Sequence, residues 1–361
     1  MRKLCTLLIE ILCIYSLILS GCTNGNDTVA EITTDNSQTQ NDSSVTDVKP
    51  GSEVVVLTDD LSAVEYSGND YFEDFILSGG APSDSDVMSF LTSRMASAAG
   101  ASFGGNPFGC STLSVQSENG DWLFGRNFDW NNCNALIVKN TPETGYSSIC
   151  TANTDFIQGI SLDSLPDEAQ ALIGIYAPLD GMNEKGLCVS VNMISDSETI
   201  EQNTDKTDIT TTTAIRLILN KAATTEEAIE LLGQYDFHAS FGYMVHFAVA
   251  DASGNSVAIE YINNEMVVTD TPVLTNFYVT QGEKYGIGTS QSHTRFEILE
   301  ERLAKGAMSE NDVRDALSSV SKQNFGGYES TEWSVVFNQT TGEVQYYYRE
   351  NYDTAYSFSL S

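Results

Sequence analysis

The stretch from Gly109 to Trp130, GCSTLSVQSENGDWLFGRNFDW, constrains this chain more than any other. Two runs of strand-forming residues, 110–117 and 122–128, flank Glu118-Asn119-Gly120-Asp121. Asn-Gly between such runs is a strong hairpin signal, because a type I′ turn needs φ > 0 at both central residues. With Asn119-Gly120 as a two-residue loop, position 118 faces 121, and counting outward sets Cys110 opposite Asp129. A thiol then opens one strand and a carboxylate closes its partner. Arg126 lies three residues before Asp129. A regular strand turns it to the other face, unless Gly125 marks a bulge that re-aims it.

A cysteine beside a guanidinium and a carboxylate points to an activated thiolate, since a nearby cation lowers a thiol pKa and the thiolate is the nucleophile. The same residues also suit a plainer arrangement. Cys110 is then a small buried hydrophobe and Arg126–Asp129 a surface ion pair. Spacing alone leaves both open.

Cys110 followed by Gly125-Arg126-Asn127-Phe128-Asp129 resembles the start of the mature chain in the choloylglycine hydrolase family. That family contains bile salt hydrolases and penicillin V acylases, and is related to acid ceramidase and N-acylethanolamine amidase. Three later blocks are similar to family blocks and fall in the same order. The first is Asp180-Gly181-Met182-Asn183-Glu184-Lys185-Gly186-Leu187 followed by Asn192, the second Leu274-Thr275-Asn276-Phe277, the third Ser292-His293-Thr294-Arg295-Phe296. Taken alone, Asn192 reads as a polar residue near a strand end and Arg295 as a surface cation in the first turn of a helix running to about Ala304.

The resemblance spans most of residues 110–360. It implies a cysteine N-terminal-nucleophile hydrolase that cleaves linear amide C–N bonds without metal or cofactor. Cys110 attacks the amide carbonyl, and its own α-amine, with a pKa of roughly 7.7–8.0, serves as base. Asp129 orients that amine, Arg126 favours the thiolate, Asn192 and Asn276 stabilise the oxyanion, and Arg295 holds the charge network. A free amine on Cys110 requires a cut between Gly109 and Cys110, with the thiol itself as the agent. The partner is a small-molecule N-acyl amide. Asn192, where an aromatic residue would be the alternative, leans toward a conjugated bile salt. Penicillin V, N-acyl homoserine lactones and fatty-acyl amides stay open, as does assembly into a homo-oligomer.

The 361 residues carry 50 acidic against 17 basic side chains, a formal charge of −33. Such a surface repels nucleic acid and anionic membranes. Met1-Arg2-Lys3, an apolar run to Leu19 and Leu19-Ser20-Gly21-Cys22 resemble a bacterial lipoprotein signal, with Cys22 lipidated. Membrane contact is then through the lipid alone, with the catalytic part outside the cytoplasm. Residues 23–52, rich in Asn, Asp, Thr and Ser, read as a disordered tether. Residues 53–109 read as a helical propeptide or small subunit, with helices near 71–77 and 87–98, and 110–361 as the catalytic domain.

Of seven cysteines, Cys110, Cys133, Cys150 and Cys188 remain in the exported part, and none shows zinc-finger spacing. Cys133 and Cys150 lie near opposing ends of a second hairpin and are candidates for a disulfide. Asp251-Ala252-Ser253-Gly254-Asn255 begins like a calcium loop but lacks its glycine and closing glutamate, so it reads as a plain turn. No G-x-S-x-G or H-E-x-x-H occurs, leaving a papain-like Cys110–histidine pair as the rival catalytic scheme. A surface lipoprotein that binds a ligand without catalysis is the rival outside enzymes. The order of strands and helix pairs predicts an α+β fold, and the resemblance specifies a four-layer αββα sandwich of two antiparallel sheets.

Overall fold

The structure, a computed structural model, describes residues 44–360 except 284 and 328. The expected signal, lipidated Cys22 and most of the tether therefore lie outside the described residues.

Strands β5 (Gly109–Gln116) and β6 (Trp122–Trp130) form the expected hairpin, with its register moved by one residue. Gln116 pairs with Trp122, Cys110 with Phe128 and Gly109 with Asp129. The cause lies in the turn. Gly120 alone of the loop has positive φ, at 94°, and its N–H donates to the Ser117 carbonyl, while Ser117 N–H donates to Asp121. This is a type I turn closed by a left-handed glycine, which takes one more residue than a type I′ loop. The shift places Cys110 and Arg126 on one face of the hairpin and Asp129 on the other. Pairing is regular through Gly125, and the irregularity falls instead between Thr331 and Trp333 on the neighbouring strand. Gly125 serves close packing: a Cβ there would lie 2.7 Å from Val313 and 2.8 Å from Leu113.

Around this hairpin a seven-stranded sheet runs in the order β1 (Ser44–Asp47), β20 (Thr354–Ser359), β19 (Glu343–Tyr348), β18 (Ser330–Asn338), β6, β5, β17 (Val273–Leu274). A nine-stranded sheet runs β16 (Glu265–Asp270), β15 (Ser256–Ile262), β14 (Val245–Ala250), β11 (Cys188–Met193), β10 (Asp180–Asn183), β8 (Ser148–Asn153), β7 (Ala135–Pro142), β3 (Leu61–Gly68), β2 (Val55–Thr58). Two short pairs stand apart, β4 (Ser102–Phe103) with β9 (Ile157–Gln158) and β12 (Thr207–Thr210) with β13 (Tyr235–His238).

The sheets face each other across a core that includes Phe128, Trp333, Val189, Val191 and Phe247. Helices α6 (Ser290–Leu303) and α7 (Glu310–Ser319) cover the outer face of the first sheet, where Leu113, Leu123, Val313 and Leu317 form a second cluster. Helices α3 (Asp167–Tyr176), α4 (Thr211–Lys221) and α5 (Thr225–Leu232) cover the second. Ser309 and Asp312 cap α7 reciprocally, and Thr224 caps α5, as the sequence signals predict.

Three expectations change. Ser44–Asp47 pairs in parallel with β20 and Val48 is buried, so ordered chain begins before the expected tether ends at residue 52. The segment before Cys110 is only partly helical. Besides α1 (Phe72–Leu77) and α2 (Asp84–Arg94) it supplies β2 and β3, and β3 runs parallel to β7 over eight residues. Neither sheet is therefore purely antiparallel.

The third change concerns the thiols. Cys110, Cys133, Cys150 and Cys188 are all free and buried. Cys150 pairs with Val138, five residues along the chain from Cys133. At about 3.3 Å per strand residue this is on the order of 16 Å, far beyond the reach of a disulfide. Alkylation of denatured, unreduced protein is expected to label both Cys133 and Cys150. A linked 133–150 peptide by mass spectrometry would contradict the observed register.

Candidate active site

Cys110 is the second residue of β5 and is wholly buried between the sheets. Its backbone N–H donates to Asn276 Oδ1 at 2.9 Å, its carbonyl accepts from Arg295 Nη1 at 2.9 Å, and its Sγ lies 3.4 Å from the Val191 carbonyl. Burial pushes the thiol up to about 11, with Arg126 opposing that shift and Asp129 adding to it. Burial seals the sulfur from solvent and keeps it mostly protonated at neutral pH.

Two buried guanidinium groups approach the hairpin from opposite faces. On the inter-sheet face, Arg126 Nε donates to Asp180 Oδ2 at 2.7 Å, and its Nη2 donates to the Val191 carbonyl at 3.2 Å, the oxygen that also faces Cys110 Sγ. Trp333 Nε1 donates to the same Asp180 oxygen at 2.8 Å. Burial works against the Arg126 charge, but Cys110 and Asp180 outweigh it and raise its pKa.

On the helix face, Arg295 lies in the second turn of α6, one turn later than expected. Its Nη1 donates to Asp129 Oδ2 and Ser111 Oγ, each at 2.8 Å, besides the Cys110 carbonyl, and its Nη2 donates to Asn276 Oδ1 at 2.8 Å. Asp129 Oδ1 accepts from Thr331 Oγ1 at 2.7 Å, and that hydroxyl accepts from the Lys322 N–H at 2.9 Å. Arg295 is thus buried in a network, and the plain surface ion pairs do not occur for either arginine.

Asn276 links both halves of the site. Its Oδ1 holds Cys110 and Arg295, while its Nδ2 donates to the Met193 carbonyl at 2.8 Å. Asn192 is buried in β11 and its Nδ2 donates to the Thr275 carbonyl at 3.1 Å. In the sealed chain each amide therefore already spends one N–H on a carbonyl. The loop carrying Thr275 and Asn276 is fixed by His246, whose ring spans Glu260 at 3.1 Å and the Thr275 carbonyl at 2.9 Å. Burial alone would raise the Glu260 carboxyl, but hydrogen bonding to His246 and Thr280 holds it below the usual carboxylate range. His246 thus supports the loop and makes no bond to Cys110, which counts against the papain-like scheme. The Asp251 carboxylate is likewise occupied, accepting from Thr225, Ser253 and Asn255 in a turn.

Cys110, Arg126, Asp129, Asn276 and Arg295 are brought together, with Asn192 one hydrogen bond away through Thr275. Sequence reasoning missed Asp180, Thr331, Trp333 and Ser111. Asp180 carried the one available signal, a carboxylate at the head of the Asp-Gly-Met-Asn block entering a buried strand.

Two facing sheets between helical layers, with this hairpin in one of them, define the αββα N-terminal-nucleophile hydrolase fold. The family of linear amide C–N hydrolases, choloylglycine hydrolase family, matches residues 110–297. The chain belongs to that family. A penicillin V acylase from Pectobacterium atrosepticum is 29% identical over 105 residues, covering 26% of this chain and 28% of that protein. This chain therefore spans little more than a quarter of that curated relative. Penicillin V acylase from Agrobacterium tumefaciens superposes with a TM-score of 0.50 at 19% identity, over 66% of this chain and 83% of that one. A variant of conjugated bile acid hydrolase from Clostridium perfringens gives 0.50 at 16%, over 70% and 92%. At these identities the likeness is one of fold.

Replacing Asp180 by Ala leaves the Arg126 charge buried without its carboxylate. The variant is expected to lose about 3–5 kcal/mol of stability in urea unfolding. A loss within error of zero would show that solvent or another group neutralises Arg126.

Proposed function

We propose that this chain is an amidohydrolase acting through Cys110, freed as an N-terminal nucleophile by a cut it makes itself at Gly109–Cys110. The observation that carries the reading is convergence on one residue: Asn276 on the Cys110 nitrogen, Arg295 on its carbonyl, and Arg126 beside its sulfur. Maturation begins when Sγ attacks the Gly109 carbonyl carbon. The C–S bond forms, the C–N bond breaks, and the Cys110 nitrogen gains a proton to become the α-amine. Water then cleaves the thioester, regenerating the thiol and leaving a Gly109 carboxylate.

In turnover the α-amine takes the thiol proton and the sulfur attacks a linear amide carbonyl. The amine leaving group departs with that proton, and water releases the acid. Asp129, anchored by Arg295 and Thr331, orients the α-amine, and Arg126 favours the thiolate. Asn192 and Asn276 offer amide N–H groups to the oxyanion once the cut loosens the sealed arrangement. The substrate is a small-molecule N-acyl amide. Conjugated bile salts, penicillin V, acyl homoserine lactones and fatty-acyl amides are the classes to assay. The signal ending at Cys22 supports an exported, lipid-anchored enzyme.

The strand pairing supports retention of the cut segment. Residues 44–109 contribute β1 to one sheet and β2 and β3 to the other, so release would strip an edge from both. The expected outcome is two bands on a denaturing gel, Cys110 at the new N-terminus, and co-elution of the pieces on native size exclusion. Cys110→Ala is expected to abolish both the cut and amidase activity. Because burial raises the thiol to about 11, thiolate is scarce at neutral pH, and self-cleavage is expected to quicken about tenfold per unit between pH 7 and 9. An active protein that stays one chain across Gly109–Cys110 would overturn the mechanism.

A further inference from the structure

Three polar side chains stand in one row across the nine-stranded sheet. Asn192 on β11 pairs with His246 on β14, and Glu260 on β15 meets the other side of the His246 ring. Cross-strand neighbours of this kind project to the same face. All three are fully buried, where a polar group is costly unless it is bonded.

Their bonds out of the sheet go to one segment, residues 275–280. The Thr275 carbonyl accepts twice, from Asn192 Nδ2 at 3.1 Å and from His246 Nε2 at 2.9 Å. A carbonyl can only accept, so Nε2 carries the hydrogen. Glu260 takes the far end of the segment. Its Oε1 faces His246 Nδ1 at 3.1 Å and accepts from the Val279 N–H at 2.9 Å. Its Oε2 accepts from the Thr280 N–H at 3.0 Å and from Thr280 Oγ1 at 2.6 Å.

Asn276 lies inside this bracket, and its Nδ2 reaches the Met193 carbonyl, one residue beyond Asn192 on β11. The Thr275 carbonyl belongs to the peptide group that leads into Asn276. One peptide plane therefore holds the Asn192 amide and sets the direction in which Asn276 leaves the backbone.

We infer that His246, backed by Glu260, is a positioning residue for amide hydrolysis: it fixes the Thr275–Asn276 peptide plane and, through it, the placement of the Asn192 and Asn276 amides. The inference rests on the oxyanion role proposed above for those two residues. Donors held in a rigid frame need no reorganisation when charge develops on the substrate oxygen. The benefit falls on the transition state, so it is read in kcat rather than in KM.

The test compares two side-chain amides at this position in the self-cut protein. An Asn amide ends near the place of Nδ1 and keeps a donor for Glu260. A Gln amide ends near the place of Nε2 and keeps the donor for Thr275. The substrate is whichever of penicillin V, a glycine-conjugated bile salt, an acyl homoserine lactone and a fatty-acyl amide is cleaved fastest, with rates normalised to the cut fraction on a denaturing gel. His246→Asn is expected to lower kcat at least about tenfold with KM within about twofold, part of the roughly 10²–10³ that outright removal of an oxyanion donor costs. His246→Gln is expected to keep kcat within about threefold of the parent. A smaller loss for His246→Asn, a loss confined to KM, or equal losses for the two variants overturns the inference. Should His246→Asn not fold, His246→Gln decides alone: retained kcat supports the inference and a loss of about tenfold overturns it. In an Asn192→Ala background His246→Asn is expected to cost about threefold or less, because groups acting as one unit are not additive. The full loss there overturns the coupling. Asn192→Ala at full kcat brings down the oxyanion role and this inference with it, as does failure to cleave any of the four amides. A loss for Asn192→Ala beside an unaffected His246→Asn brings down this inference alone.

Discussion

The guanidinium of Arg295 is the group on which the arrangement around Cys110 depends. One buried cation from α6 reaches the Cys110 carbonyl, Ser111, Asp129 and Asn276. Those acceptors lie on two strands of the hairpin and on the loop after β17, so a single planar group sets their relative positions. Burying such a charge is costly, and four acceptors on Nη1 and Nη2, one of them fully charged, offset much of that cost while Nε is left without a partner. Lysine, a point charge on a flexible stem, could not reproduce the fork. The helix itself is held by apolar packing of Leu299 within the cluster under the first sheet, so packing aims the arginine and the arginine positions Cys110.

A second cation, Arg126, balances the first through the thickness of the sheet. Each has its own carboxylate, Asp180 on the inter-sheet face and Asp129 on the helix face. Strand alternation makes this possible: residues 126 and 129 are separated by an odd number of positions, so they project to opposite sides. The site can then be wholly buried and nearly neutral in a chain whose formal charge is −33. The sulfur sits where the two fields meet, and burial prevails over both cations while the peptide bond before it is intact.

Much of this was legible in the chain, for reasons that are local. The hairpin around Asn119-Gly120, the capped helices α5 and α7, and the block around Arg126 and Asp129 all rest on contacts within a few residues. What failed depends on distant partners or on turn detail. The register was missed by one because the loop uses a left-handed residue only at Gly120. The sequence sets Cys133 and Cys150 near opposing ends of a hairpin, while the real ladder pairs Cys150 with Val138. Gly125 reads as a bulge in isolation, and its close packing against Leu113 involves Val313 as well, on a helix nearly 190 residues later. Arg126 and Trp333 stand more than 200 residues apart, so no window of sequence could show that both donate to Asp180.

The segment before Cys110 carries the last step. The sequence reads 53–109 as a helical propeptide or small subunit, yet the segment also joins both sheets by parallel pairing, one strand beside β20 and one beside β7. Parallel pairs need long connections, and the connection here includes the small, glycine-rich run that ends in Phe108-Gly109. The fold therefore draws the Gly109–Cys110 bond between two anchored regions. Upstream it is held by β3 and its helices, downstream by the continuous ladder of β5 and β6. The proposed cut there would leave both anchors in place and free only the end of the short run that precedes it. Cys110 would then be uncovered without dismantling either sheet, because the residues that would move are not those that hold the sandwich together.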